Sequence, residues 1–517
     1  MKKIITSLML FFSVSFVFCE RYKIDYVNFS ITGITKEYAV EKAIDIDKTR
    51  IFESFNEFHN YVENLKQLFK NERNFRESII NVSYGDLDIN GITTVTLNIS
   101  TFDSKHFLMV PYPKYSSNDG FIFKLKAKDT NFLGTMETLN TDINFSIEPQ
   151  TDNPDVYDTI FGINFDYSYP FKLWKLDSKW NNDFSFDWII GRTTPEYSFN
   201  TGLTFSLPFK NFSVELDIAQ GIIKDFEYEK YGDSLYFTEN ATLSLPYKVG
   251  LISDYFDVTW TPYISYTQNI DKDGINIENK DLRGPSLNFG YSLSTGRYNW
   301  YENFRKGITF SFSQAIGFNY GTKKYVSTSN ANVNFFSFFK IIGFNSQLQA
   351  FYNMNTDKKI GSYLRGIRDN QYYYNSTDKA LETQAAIILN MDFPIHIIST
   401  DWIKWENALL GEESFIVRHT SWMKYFDFEL QLNPFIDIAL TDNPITNKTF
   451  SIKDGWYSGG LEILVFPKRW RSLVVRASFG VDLGKNLVKK VVPSLYDDSW
   501  RDNVSSYELQ IGIGLHY

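Results

Sequence analysis

From about residue 104 to the end of the chain, apolar and polar side chains alternate at period two, and the polar side of the alternation carries charges. Phe212, Val214, Leu216 and Ile218 are interleaved with Ser213, Glu215 and Asp217. Successive side chains of a strand point to opposite faces, so charges in mid-strand require water on one side and an apolar medium on the other. The pattern recurs where Leu287, Phe289, Tyr291 and Leu293 face away from Ser286, Asn288, Gly290 and Ser292, and where Phe123, Leu125 and Ala127 face away from Lys124, Lys126 and Lys128. The last run sets Tyr507, Leu509, Ile511, Ile513, Leu515 and Tyr517 against Glu508, Gln510, Gly512, Gly514 and His516. One such run would suit any antiparallel sandwich. Many runs are more specific, because they are joined in turn by tight connections at Pro170–Leu173, Pro208–Asn211 and Pro467–Trp470 and by long polar stretches at Gln220–Asp233 and Asn269–Arg283. Short turns at one rim and long loops at the other describe a transmembrane β-barrel, here of roughly sixteen to eighteen strands.

Composition agrees with that architecture. Aromatic residues make up 18 % of the 517, with 47 Phe, 33 Tyr and 11 Trp, yet the mean hydropathy is only −0.27. An apolar outer band with aromatic rims around a polar lumen gives this combination. The net charge of −9 argues against nucleic acid as a partner, since a phosphate-binding surface needs excess cations. At the N-terminus, Lys2 and Lys3 precede an apolar run from Ile4 to Phe18, which reads as a secretory signal peptide over residues 1–19. The run is too short for a spanning helix, and no longer uncharged apolar run follows it. The single cysteine, Cys19, is either removed with the signal or lipidated as the first mature residue. With no other cysteine, a disulfide framework and a cysteine metal cluster are excluded.

Residues 20–103 read as a separate small α/β domain of strand, helix, helix, strand, strand. An apolar strand around Tyr22–Ile31 ends at Thr32-Gly33, and Thr35 is placed to cap a helix running to about Ile46. Phe55, Phe58, Val62, Leu65 and Phe69 recur at helical spacing on one face of a second helix. Ile79–Tyr84 and Thr93–Ile99 complete the sheet across an Asn90-Gly91 turn.

These features together resemble the BamA/TamA superfamily of outer-membrane assembly factors, in which periplasmic POTRA domains precede a sixteen-stranded antiparallel barrel. The small domain has the POTRA order of elements, and Pro111-Tyr112-Pro113-Lys114-Tyr115 with Asn131-Phe132-Leu133-Gly134-Thr135 is similar to the family's first hairpins. Leu364-Arg365-Gly366-Ile367 resembles the V-R-G-F/Y motif of a loop that the family folds back into the lumen. Phe435-Ile436-Asp437-Ile438-Ala439 resembles its F-x-D-x-G strand. The resemblance implies that Arg365 meets Asp437 inside a barrel spanning residues 104–517, with Glu382 and Glu462 as further candidate acids. Ile367 and Ala439 depart from the family's aromatic and glycine. Gln510, Gly512, Leu515 and Tyr517 fit the terminal signal by which barrels are recognised for insertion.

The resemblance implies insertion of barrel proteins into, or export of proteins across, the outer membrane. The lipid bilayer and unfolded client proteins would be partners, with periplasmic chaperones or accessory lipoproteins as further ones. Pro111 and Pro113 in the first strand and Gly512 and Gly514 in the last each weaken a ladder, so the closing seam is expected to be short. Clients would add to its edge by strand pairing. A passive pore and a secretion transporter dedicated to one partner are the alternatives. No cofactor or metal is expected. The histidines are scattered without ligand spacing, and neither a G-x-S-x-G elbow nor a phosphate-binding loop occurs, which speaks against an enzyme.

Overall fold

The computed structural model describes residues 20–517 except 89–90, 117–119, 150–156, 226–234, 254–255, 272–283, 368–372, 375–377, 380, 412–418, 502–505 and 516–517. The signal segment, Cys19 and Tyr517 lie outside the described residues. Contacts divide the chain between Ser104 and Lys105 into two compact units.

The first unit runs β1 (Arg21–Thr32), α1 (Glu37–Ala43), β2 (Ile51–Phe52), α2 (Phe55–Asn71), β3 (Phe75–Leu87) and β4 (Ile92–Asp103). Its sheet has the order β2-β1-β4-β3, with β1 and β4 parallel at the centre. This is a POTRA-type arrangement. Ser54 caps α2 by accepting from the Glu57 N–H at 3.2 Å. The face of α2 carrying Phe58, Val62, Leu65 and Phe69 is buried against the sheet, whereas Phe55, in the first turn, stays half exposed. Helix α1 is shorter than its sequence suggests and begins without a side-chain cap. The Thr35 hydroxyl expected there bonds Asp103 Oδ1 at 2.8 Å instead.

The second unit is a closed antiparallel sheet. Its strands are β5 (Phe107–Ser116), β6 (Gly120–Asp129), β7 (Leu139–Pro149), β8 (Tyr157–Leu173), β9 (Leu176–Ile189), β10 (Glu196–Pro208) and β11 (Ser213–Lys224). They continue as β12 (Leu235–Ser244 with Tyr247–Ser253), β13 (Phe256–Asp271), β14 (Ser286–Tyr301), β15 (Phe304–Asn319), β16 (Lys324–Phe339) and β17 (Ile342–Met354). The last five are β18 (Ala385–Asp392 with Ile395–Ser399), β19 (Phe428–Asn443), β20 (Trp456–Pro467), β21 (Val475–Asp482) and β22 (Tyr507–Ile513), which returns to β5.

Among the described residues the closed sheet therefore holds eighteen strands, not the sixteen of the resembled family. From β13 to β17 the strands pair without a break, and two strands elsewhere are interrupted. The interruptions fall at Pro246 in β12 and Pro394 in β18, because proline supplies no N–H to the ladder. Loops begin later than the polar stretches suggested: β11 reaches Lys224 and β13 reaches Asp271. Pro170–Leu173 belongs to the end of β8, and the turn is Trp174-Lys175.

Alternation fixes which face is which. On β19, Glu429, Gln431, Asn433, Phe435 and Asp437 are buried inside, while Ile436 is exposed outside. Inward charges pair across strands, as in Lys124 Nζ to Asp142 Oδ2 at 3.3 Å. Ile218, Phe289, Ile316 and Leu348 are exposed on the outer face, the band that faces lipid. No described helix is long and apolar enough to cross a membrane; crossing is by strands.

Candidate functional site

Between β17 and β18 the chain enters the barrel. Lys358-Lys359 pairs with Glu382-Thr383 as a short hairpin at the base of the loop. Beyond it the turn Gly361–Tyr363 is tightened by the Leu364 N–H bonding Gly361 O at 3.1 Å, and the Ile367 N–H bonds Leu364 O at 3.1 Å. Leu364 and Ile367 are buried in one apolar cluster with Phe351, Ile388, Ala439 and Trp456. Those partners lie on inward faces of β17 to β20, so the loop tip sits inside the cylinder. Ile367 and Ala439, the two departures from the family pattern, pack in the same cluster.

Arg365 is the polar centre of this tip. Its backbone N–H and its Nε each donate to Asp437 Oδ2 at 3.0 Å, and its Nη2 donates to Asp437 Oδ1 at 2.7 Å. Its Nη1 lies 2.8 Å from Asp392 Oδ1, off the line of an N–H, so that contact is electrostatic. The guanidinium also stacks 3.7 Å over the Phe435 ring. Arg365 is 5 % exposed and Asp437 0 %. A planar fork meeting a carboxylate edge on, with a ring beneath it, is a geometry that lysine cannot reproduce.

The neighbouring Gly366 adopts φ +94°, and a Cβ there would lie 2.3 Å from the Gly480 carbonyl carbon on β21. Its N–H points to Glu508 Oε2 at 3.4 Å, and its carbonyl accepts from Ser506 Oγ at 2.5 Å. The tip thus binds the inner faces of β18, β19, β21 and β22 together. In the stretch after β21, Trp500 packs against the same cluster, and Arg501 stacks 3.7 Å from Trp456 and donates to Tyr496 Oη at 2.6 Å. Burial pushes the Tyr496 phenol up to about 12 against the pull of Arg501.

Of the other candidate acids, Glu462 is buried on β20 and accepts from Asn433 Nδ2 at 2.8 Å, making no bond to Arg365. Glu382 pairs in register with Lys359 in the basal hairpin and does not touch the arginine. Asp392, Glu508 and Gly480 were not singled out as partners. Asp392 ends an Ala386, Ile388, Asn390, Asp392 row that alternates with Ile387, Leu389 and Met391, so the rule that exposes Asp437 applies to it too. Among the described residues no group of three or more His, Cys, Asp or Glu is arranged to hold a metal ion.

The closing seam is short. Among the described residues β22 pairs with β5 at Glu508↔Ser116, Leu509↔Tyr115 and Gln510↔Lys114, and at its Pro113 end pairing stops one residue after Pro113. Pro111 and Pro113 remain paired in register with Leu125 and Phe123 of β6. Gln510 Nε2 donates to Tyr112 Oη at 2.5 Å just beyond the last pair. Gly512 lies opposite Arg476 on β21, and Gly514 turns the chain with φ +98° while its N–H bonds Val474 O at 2.7 Å. Leu515 then packs against Leu464 and Phe466, which face inward. The lower part of β5 is held instead by the turn after β20. Lys105 N–H donates to Arg469 O at 2.9 Å, Trp470 Nε1 donates to Phe107 O at 2.9 Å, and Thr130 and Ser472 share a hydroxyl bond of 2.8 Å.

No protein-family model and no curated protein matches this sequence. Solved structures do match in fold. CdiB from Acinetobacter baumannii is 9 % identical with a TM-score of 0.46, over 96 % of this chain and 74 % of that one. CdiB from Escherichia coli is 9 % identical with a TM-score of 0.49, over 96 % and 77 %. BamA from Haemophilus ducreyi lacking POTRA domains 1–3 is 10 % identical with a TM-score of 0.37, over 95 % and 85 %. At such identity, function has to be argued from the site itself.

Proposed function

We propose that this chain is an outer-membrane protein transporter, with its small domain in the periplasm receiving an unfolded polypeptide and its barrel passing that polypeptide onward. One observation carries the reading: a loop clasped inside the cylinder by Arg365 and Asp437, tying together strands beside a seam of three residue pairs among the described residues. A packed tip opposes the passive-pore reading, since a pore needs an open lumen. A clasp of one loop on the wall is instead a part that can be displaced to admit a chain. No cofactor is needed, as folding of the client beyond the membrane supplies the free energy.

Export of a dedicated partner through the lumen is the first form of this reading. The hydrogen bonds from Lys105 and Trp470 across the lower seam favour it, because they hold closed the end at which a periplasmic client would enter sideways. Insertion of client barrels at the seam is the second form, favoured by the shortness of the β5–β22 ladder. A photo-crosslinking residue at position 363, beside the clasp, distinguishes the two in cells. Export predicts crosslinks to one secreted polypeptide, and insertion at the seam predicts none from this lumenal position.

A further inference from the structure

We infer that Trp402–Leu410 and Ser421–Phe426 form a membrane-interface foot, which lies in the headgroup region of the lipid leaflet at the short-turn rim. Several connections at this rim are two residues long, such as Trp174-Lys175 and Glu302-Asn303. The one between β18 and β19 instead builds helix α3 (Trp402–Leu410) and a further turn at Ser421–Phe426. Asp401 starts α3 by accepting from the Lys404 N–H at 3.2 Å, and Gly411, with φ +80°, ends it.

The segment is fastened, not loose. The Trp402 N–H donates to Asp427 Oδ1 at 3.0 Å, Trp402 Nε1 donates to Phe426 O at 3.2 Å, and Thr420 Oγ1 donates to Glu406 Oε2 at 2.7 Å. Arg469 of the next turn stacks 3.7 Å over Tyr425. Yet its apolar side chains are bare: Leu409 is 83 % exposed, Phe426 62 % and Trp422 54 %. A fixed surface of this kind is not left against water without an occupant.

Lipid is the occupant that the surroundings specify. The foot begins just after Ile397 and Ile398, which are exposed on the outer face of β18, so it continues the lipid-facing band. The adjacent turn presents Phe339 and Ile341 in the same way, and His396 N–H on β18 bonds Ile341 O at 2.8 Å, tying that turn to the strand that leads into the foot. Trp, Tyr and Phe with flanking lysines are the side chains that settle at a bilayer boundary. Lys404 and Lys424 are exposed on the foot, placed to snorkel toward phosphates. By contrast, the carboxylates of Asp401, Glu406 and Asp427 each accept a hydrogen bond from the foot's own backbone or hydroxyl groups.

The test uses the full chain with Cys19→Ser and Leu409→Cys, labelled with an environment-sensitive fluorophore and reconstituted into phosphatidylcholine–phosphatidylglycerol vesicles. Position 409 makes no packing contact that labelling would break, and heat-modifiable mobility verifies the folded barrel. A blue-shifted emission, with loss of intensity when brominated lipids replace ordinary ones, is expected. The same label at position 41 of the small domain should show neither change. An unshifted, unquenched label at 409 in folded protein overturns the inference. So does a label that shifts only when periplasmic extract is added, which would assign the surface to a protein.

Discussion

Arg365 and Asp437 are joined by three hydrogen bonds, one of them from the arginine's own backbone N–H, so the carboxylate fixes both the side chain and the loop path. Removing either partner leaves a buried charge uncompensated, at a cost of about 3–5 kcal/mol. Arg365→Ala and Asp437→Ala are expected to release the tip and raise single-channel conductance in planar bilayers. Arg365→Lys should behave nearly as Ala, because an ammonium cannot hold both carboxylate oxygens edge on.

Gly366 offers a control that leaves every charge in place. Its φ of +94° and its approach to the Gly480 backbone exclude a Cβ. Gly366→Ala and Gly480→Ala are both expected to lift the tip from β21 and to reproduce the high-conductance state. Limited proteolysis of the loop should rise in parallel.

The three pairs of the seam can be locked covalently. Tyr115→Cys with Leu509→Cys places two thiols at a cross-strand position in a Cys19→Ser background. Lumenal export predicts that oxidation leaves transport unchanged, whereas lateral insertion predicts a block that reductant reverses. Band-shift on oxidation verifies that the bond has formed.

In the small domain, the Arg50 guanidinium, bonded at 2.8 Å, and then the Glu53 N–H hold the Glu57 carboxyl below the usual glutamate range. A depressed value in the folded state means stability that is present above the unfolded pKa and is lost as pH falls through the folded one. Glu57→Gln should therefore destabilise residues 20–103 at pH 7, by less than about 1 kcal/mol because the pair is partly exposed. The difference should begin to shrink below about pH 4, where the glutamate of the unfolded chain is protonated, and vanish once pH has fallen below the lower folded-state value. Urea titrations of both proteins across that range measure it.

Much of the barrel was legible in the sequence because period-two alternation is a local signal, as in Val214, Leu216 and Ile218 against Glu215 and Asp217. The eighteen strands were not pinned down, since Pro246 and Pro394 interrupt single strands and resemble turns when read locally. Asp437 came into view through its motif, and the structure brings it to Arg365. Asp392 lies on a row whose local alternation already turns it inward, whereas the approach of Gly480 to the loop tip needed the register of neighbouring strands, which no local pattern contains. The foot at Trp402–Leu410 and Ser421–Phe426 was not legible: Trp402, Trp405 and Leu409 at helical spacing sit inside a region otherwise read as strands.

The most direct measurement is quantitative comparison of secreted proteins and outer-membrane barrels after depletion of this chain. The account predicts that one or a few exported polypeptides disappear from the medium, or, in the insertion form, that barrel levels fall together. Depletion that leaves both the secreted set and the barrel set unchanged would contradict transport in either form.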